Sequence, residues 1–208
     1  MKDSILQEDF WRGTFGDEYT MRNDKGDQLI AANTALFVKV FESLKADDVN
    51  SIIEFGSNIG LNLIALHYLL PKTEIYGVEI NEQAFQQLST LKFVQAYNAS
   101  LYDFTPPKTC DLAFTKGVLI HQPPEKLNQV YDLLYSSSSK YILISEYYNP
   151  TPVEVEYRGN KSVLFKRDFC GDMLDRYPDL TLCNYGFVYH RESLFPQDDG
   201  TWFLMRKK

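Results

Sequence analysis

Between residues 51 and 146, short apolar runs take turns with segments whose apolar residues recur at helical spacing. The runs are S-I-I-E-F (51–55), E-I-Y-G-V-E-I (74–80), F-V-Q-A-Y-N (93–98), C-D-L-A-F-T-K (110–116) and K-Y-I-L-I-S-E (140–146). I-G-L-N-L-I-A-L-H-Y-L-L lies between the first two and is stopped by Pro71, which cannot continue a helix. N-E-Q-A-F-Q-Q-L-S-T-L opens on Asn81, a good N-cap, and Pro124 suits the first turn of P-E-K-L-N-Q-V-Y-D-L-L-Y. Strands joined through helices make right-handed crossovers, which dictate an α/β fold. We expect a seven-stranded, mainly parallel sheet with helices on both faces and an antiparallel C-terminal strand. Residues 27–45 supply a helix before the first strand. A long loop, a helix near 167–176 and strands near 180–190 and 200–206 follow the fifth strand, the last pair as an antiparallel hairpin at a sheet edge.

Composition narrows the function classes. The 208 residues suffice for one domain with a sizeable core, and 44% hydrophobic and 14% aromatic content is that of a globular chain. A net charge of −7 argues against nucleic acid, which requires a basic face. No run of 18 apolar residues reads as a membrane span, and the acidic start M-K-D-S-I-L-Q-E-D-F is not a signal peptide. Cys110, Cys170 and Cys183 are widely spaced, odd in number and without zinc spacing, so we expect no metal and a cytoplasmic location.

In an open α/β sheet, ligands bind beyond the carboxyl ends of the strands, where strand order switches. The loop after the first strand is E-F-G-S-N-I-G: Glu54, Gly56, Ser57, Asn58 and Gly60. Gly56 and Gly60 let the backbone turn tightly and come close to a ligand. A dinucleotide loop has a middle glycine to make room for pyrophosphate, and here that position is Asn58. This disfavours an NAD oxidoreductase and suits a ligand without pyrophosphate, such as S-adenosylmethionine. Glu79, about 20 residues beyond the first glycine, is placed to accept two ribose hydroxyls, with Ile80 against adenine.

E-F-G-S-N-I-G, V-E-I-N, Y-N-A-S-L-Y-D-F and C-D-L-A-F-T-K-G-V-L-I-H together resemble the four motifs of the class I S-adenosylmethionine-dependent methyltransferases. The resemblance implies a Rossmann-like methyltransferase fold, S-adenosylmethionine as cofactor and S-adenosylhomocysteine as product. It implies that Asn98, Ala99 or Ser100 contacts adenine and that Thr115, Lys116 and Gly117 lie near the methionine part and the substrate. F-W-R-G-T-F-G-D-E-Y-T-x-R-N (10–23) and E-Y-Y-N-P-T-P-V-E-V-E-Y-R-G (146–159) further resemble the methylases associated with pseudaminic acid biosynthesis. That likeness implies a small polar acceptor, a nonulosonate sugar or its precursor. Another small molecule with a carboxylate or amine, or a non-catalytic cofactor-binding sensor or partner, stands as the alternative. On this reading, a single domain 1–208 has an N-terminal lid and helix (1–47), a cofactor-binding core (48–146) and a substrate-side remainder (147–208), working as a monomer or homodimer.

The flanking clusters carry chemistry of their own. Aromatic faces receive a sulfonium cation well, which suits Trp11, Phe15 and Tyr19, and Arg22 suits a carboxylate. Gly13 and Gly16 give this segment hinge freedom as a lid; packing on the first helix is the other reading. His121 reads either as a general base or as a structural histidine before Pro123–Pro124, and Glu146 either orients an acceptor or caps a turn. His67 and His190 read as structural, the latter within a late strand. Tyr147, Tyr148, Asn149, Tyr157 and Arg158 sit on the long loop, where rings stack on a sugar and arginine takes an acidic group; Tyr148 joins His121 and Glu146 as a catalytic candidate.

Overall fold

The computed structural model describes residues 6–21, 26–45 and 48–208. Two short helices, α1 (Leu6–Arg12) and α2 (Thr14–Met21), precede α3 (Gly26–Phe41). The alternating region follows as β1 (Ser51–Phe55), α4 (Leu61–Leu69), β2 (Glu74–Glu79), α5 (Glu82–Leu88), β3 (Val94–Asn98) and β4 (Cys110–Lys116). Two 3-10 turns, Leu119–His121 and Pro124–Lys126, lead into α6 (Leu127–Ser137) and β5 (Ser138–Glu146). The chain closes with β6 (Val153–Glu154), β7 (Phe165–Lys166), α7 (Phe169–Arg176), β8 (Leu180–Val188) and β9 (Gly200–Lys207).

The main sheet has the order β3-β2-β1-β4-β5-β9-β8. Neighbours from β3 to β5 pair in parallel, and β9 runs antiparallel to both β5 and β8. The expected hairpin is present, but its second strand takes the inner position and β8 forms the edge. The order reverses between β1 and β4, so their carboxyl ends open a crevice.

Parallel strands covered on both faces bury every side chain, and all five residues of β1 are buried. Alternation divides them. Ile53 and Phe55 join Val78, Ala113, Ile142 and Ile144 in a core under α6 and α7. Ile52 joins Leu112, Phe114, Leu143 and Leu204 in a second core with Phe37 of α3 and Leu63 of α4. Glu54 and Lys116 follow Ile52 and Phe114 by two residues, so both are sent to this second face at the carboxyl edge.

Caps set the helix limits that matter for the crevice. The side chain of Asn81 accepts a hydrogen bond from the Ala84 N–H at 2.9 Å and starts α5. Gly60, with φ 86°, starts α4, and a Cβ there would meet Leu91 and Leu88 at 2.7 and 2.8 Å. The loop after β5 differs from expectation: β6 and β7 pair as a separate two-stranded sheet inside it. The N-terminal segment, read as a lid, consists of the two short helices α1 and α2.

Candidate functional site

A cavity of about 580 Å³ opens over the carboxyl ends of β1, β2, β4 and β5. Its size is that of a small-molecule site. The loop after β1 forms one wall. Gly56 has φ 77°, and a Cβ there would stand 2.4 Å from a Val118 methyl, so no side chain fits. Asn58 also adopts a left-handed conformation, φ 47°, which asparagine tolerates better than most residues. The missing middle glycine is therefore met by a residue that keeps the turn.

Glu79 faces this loop. One carboxylate oxygen accepts the Asn58 N–H at 2.7 Å and the other the Asn81 N–H at 2.8 Å. Burial raises its pKa, while these backbone donors favour the charged form. A carboxylate has about four acceptor sites, so each oxygen retains one for a ligand hydroxyl. Ile80, Ala99, Leu101 and Tyr102 continue the wall, and the Tyr102 hydroxyl donates to Gln122 at 2.6 Å.

α1 and α2 cover the opening. The Asn81 side chain donates to the Trp11 carbonyl at 3.1 Å and to Asp17 at 2.8 Å. The Gln7 side chain donates to the Ser162 carbonyl at 2.9 Å, tying the cover to the long loop. Trp11 packs edge-on against Phe15 and Tyr19, and its ring centroid lies 4.7 Å from that of His121. Trp11 and Tyr19 line the cavity. Phe15 does not; it stacks on Phe10 at 4.0 Å and braces the cover from behind. Arg22 lies outside the described residues.

His121 is buried on the cavity wall, with Nδ1 2.6 Å from the Val163 carbonyl. A carbonyl only accepts, so Nδ1 carries the proton and Nε2 the lone pair. Burial lowers the pKa of His121 to about 4, so the ring is neutral near pH 7. Glu146 accepts the N–H groups of Val118, Leu119 and Ile120 at 3.0, 3.0 and 3.4 Å. It thus holds the turn that carries His121, the capping alternative, while remaining on the cavity wall. Burial raises its pKa to about 7 against those donors.

The remaining candidates divide. Ser57, Lys116, Gly117, Tyr147, Tyr157 and Arg158 line the cavity. Tyr148 does not: alternation after β5 turns Tyr147 inward and Tyr148 outward, where its ring meets Phe203. Asn149 donates to Thr151 in its own turn, and Asn98 donates to the Glu79 carbonyl at 3.1 Å, bracing β2 from the side. The Ser100 hydroxyl accepts the Tyr102 N–H at 3.1 Å. Thr115 is fully buried on the opposite side of β4 from Lys116, and Gly60 serves the start of α4. Glu54 lies beneath the wall, accepting from the Asn62 side chain at 2.6 Å. Its other carboxylate oxygen is buried and unpartnered, and burial pushes its pKa up to about 8.

Several wall residues escaped the sequence reading. Tyr102 lay within a quoted motif, but nothing in its spacing marked it. Asn33, Gln197 and Asp198 come from segments far apart in the chain, which only the sheet order brings together. His190 falls beyond β8 rather than within a strand; it lines the cavity and pairs with Asp199 at 2.9 Å. His67 is stacked on Phe93 at 4.0 Å, a packing role.

No protein-family model matches the chain, and no curated protein matches it. Solved structures do. The magnesium protoporphyrin IX methyltransferase ChlM from Synechocystis, with bound S-adenosylmethionine, has a TM-score of 0.68 over 100% of both chains at 13% identity. A Burkholderia thailandensis 1,6-didemethyltoxoflavin-N1-methyltransferase, holding its substrate and S-adenosylhomocysteine, gives 0.69 over 98% of this chain and 87% of that one at 13% identity. The plantazolicin methyltransferase BpumL, with a desmethylplantazolicin analogue and S-adenosylhomocysteine, gives 0.65 over 98% and 95% at 12% identity. The fold is therefore the Rossmann-like fold of class I methyltransferases.

Proposed function

We propose that the protein is a methyltransferase that takes its methyl group from S-adenosylmethionine and gives it to a small polar acceptor. The observation that carries this reading is Glu79: a buried carboxylate at the end of β2, fixed by two loop N–H groups, with acceptor capacity turned to the cavity. Vicinal ribose hydroxyls match that capacity. Gly56 and Asn58 leave the loop backbone bare beside it, and Ala99, Leu101 and Tyr102 offer an apolar wall for adenine.

When bound, the donor supplies a methyl group already activated by positive sulfur. The chain's part is to bind, orient and exclude water, which accounts for most of the acceleration in such displacements. Trp11 and Tyr19 bring aromatic faces suited to a cation. α1 and α2 close the cavity from water. Where the acceptor must lose a proton, Nε2 of His121 takes it: the ring is neutral, its tautomer is set by Val163, and Glu146 holds its turn in place.

Tyr147, Tyr157 and Arg158 line the acceptor side, which supports a sugar carrying an acidic group, in line with the nonulosonate reading. Titration calorimetry with S-adenosylmethionine, S-adenosylhomocysteine and NAD tests the core of the proposal. The first two should bind; binding of NAD alone would sink it. Glu79→Ala should weaken S-adenosylhomocysteine on the order of 2–4 kcal/mol, the worth of two hydrogen bonds to a charged group. A melt of the ligand-free variant separates this from loss of the Asn58 and Asn81 contacts. Release of S-adenosylhomocysteine with an acceptor present distinguishes an enzyme from a sensor.

A further inference from the structure

Lys116 ends β4 on the same face as Phe114 and lines the cavity. Three carboxylates surround it, Glu54, Glu146 and Asp198. Glu146 is engaged by three backbone N–H groups and Asp198 by the Tyr147 hydroxyl at 3.1 Å, while Glu54 accepts from Asn62 through one oxygen and leaves the other unpartnered. None of them forms an ion pair or hydrogen bond with the Lys116 ammonium, and no other described residue does. A lysine taken largely out of water keeps its charge only with a partner, and burial here lowers its pKa.

The side chains around it lead the same way. Asn62 begins α4 and Asn33 stands on α3, so both flank the second face, where Lys116 points. Ser145 is the β5 residue in register with Lys116 and also lines the cavity. These neutral hydrogen-bonding groups stand beside one cation, while Glu146 and Asp198 on the same cavity wall are held by donors of their own.

We propose that Lys116 receives a carboxylate bound in this cavity. The inference rests on the methyltransferase reading, and within it two molecules offer that group: the amino-acid end of the donor and an acidic acceptor. The proposal goes beyond the cofactor assignment because it makes a negative charge a requirement for whatever occupies the space above β4 and β5.

Three probes test it on the full chain: S-adenosylhomocysteine, 5′-methylthioadenosine, which lacks the amino-acid end, and acetate with acetamide as its neutral counterpart. Wild-type protein saturated with methylthioadenosine should show saturable NMR shifts with acetate and none with acetamide, and Lys116→Met should abolish them. If Lys116→Met also weakens S-adenosylhomocysteine tenfold or more and leaves methylthioadenosine unchanged, the carboxylate is the donor's. If S-adenosylhomocysteine is unaffected, and acetate still binds wild-type protein saturated with it, the carboxylate is the acceptor's. Lys116→Arg should retain part of either response, which separates charge from folding. The proposal is overturned if acetate and acetamide behave alike in the wild type. It is equally overturned if the variant weakens both nucleosides equally or changes nothing. Failure of the wild type to bind either nucleoside would instead remove the methyltransferase reading itself.

Discussion

His121 makes acid the most informative perturbation. Its ring is buried, donates to the Val163 carbonyl, and has a pKa lowered to about 4 against an ordinary value of 6.5. Below pH 6.5 the unfolded chain binds a proton at this position and the folded chain does not. The folded state therefore has its full contribution above pH 6.5 and loses it as pH falls to about 4. The limiting slope is about 1.4 kcal/mol per pH unit, so the whole loss is about 3 kcal/mol. For a domain whose total stability is about 5–15 kcal/mol, that is a large share. His121→Gln keeps a neutral side-chain donor for Val163 and cannot be protonated. Urea denaturation of both proteins at half-unit steps from pH 7.5 to 4 gives the difference curve, from which other titrating groups cancel. The wild type should lose stability relative to the variant across that window. In the folded wild type the ring resonances should stay in the neutral form down to pH 5. Parallel stability curves, or a His121 titration near 6.5, would refute the reasoning.

Three further outcomes follow from the same structure. Glu54 has a pKa raised to about 8, so it destabilises the fold as pH rises from 4.5 through 8; Glu54→Gln should flatten that limb in a denaturation series, and an unchanged limb would count against a buried carboxyl there. Glu146→Ala strands three backbone N–H groups around the turn at 119–121 and should lower stability by about 3 kcal/mol, read as a fall in Tm; a shift under one degree would show that water replaces the cap. Gly56→Ala meets both φ 77° and a Val118 methyl at 2.4 Å, whereas Gly117→Ala meets φ 69° in open space. The first should lower stability by about 1–3 kcal/mol more than the second in chemical denaturation, and equal effects would mean that strain alone matters.

The parallel half of the sheet was legible because its signals are local. Buried runs such as S-I-I-E-F, the Asn81 cap and the Pro71 stop each act within a few residues. The loop after β1 and Glu79 were legible for a related reason: sheet topology makes strand ends the place where ligands meet. What sequence does not carry is orientation in irregular segments. Tyr147 and Tyr148 are adjacent and chemically alike, yet only the register of β5 decides which faces the cavity. Glu146 reads equally as a site acid or as a cap until the turn at 119–121 is placed against it. The aromatic cluster of the N-terminal segment marked it as a candidate lid, but its two helices and their anchors were hidden because the partners, Asn81 and Ser162, are remote in sequence.

The inner position of β9 has a kinetic consequence. β8 precedes β9 in the chain, but it reaches the sheet only through β9. Until β9 is in place, β8 has no strand to join and the outer edge of β5 stays open. Closing the hairpin between β8 and β9 bridges a short connection, whereas pairing β9 with β5 bridges a much longer one, so the hairpin forms first and docks as a unit. Loop length thus favours a hairpin formed ahead of its docking, with the edge of β5 exposed until the hairpin arrives. Any lesion in β9 removes two strands from the sheet rather than one, and leaves β5 as a template for pairing with another chain.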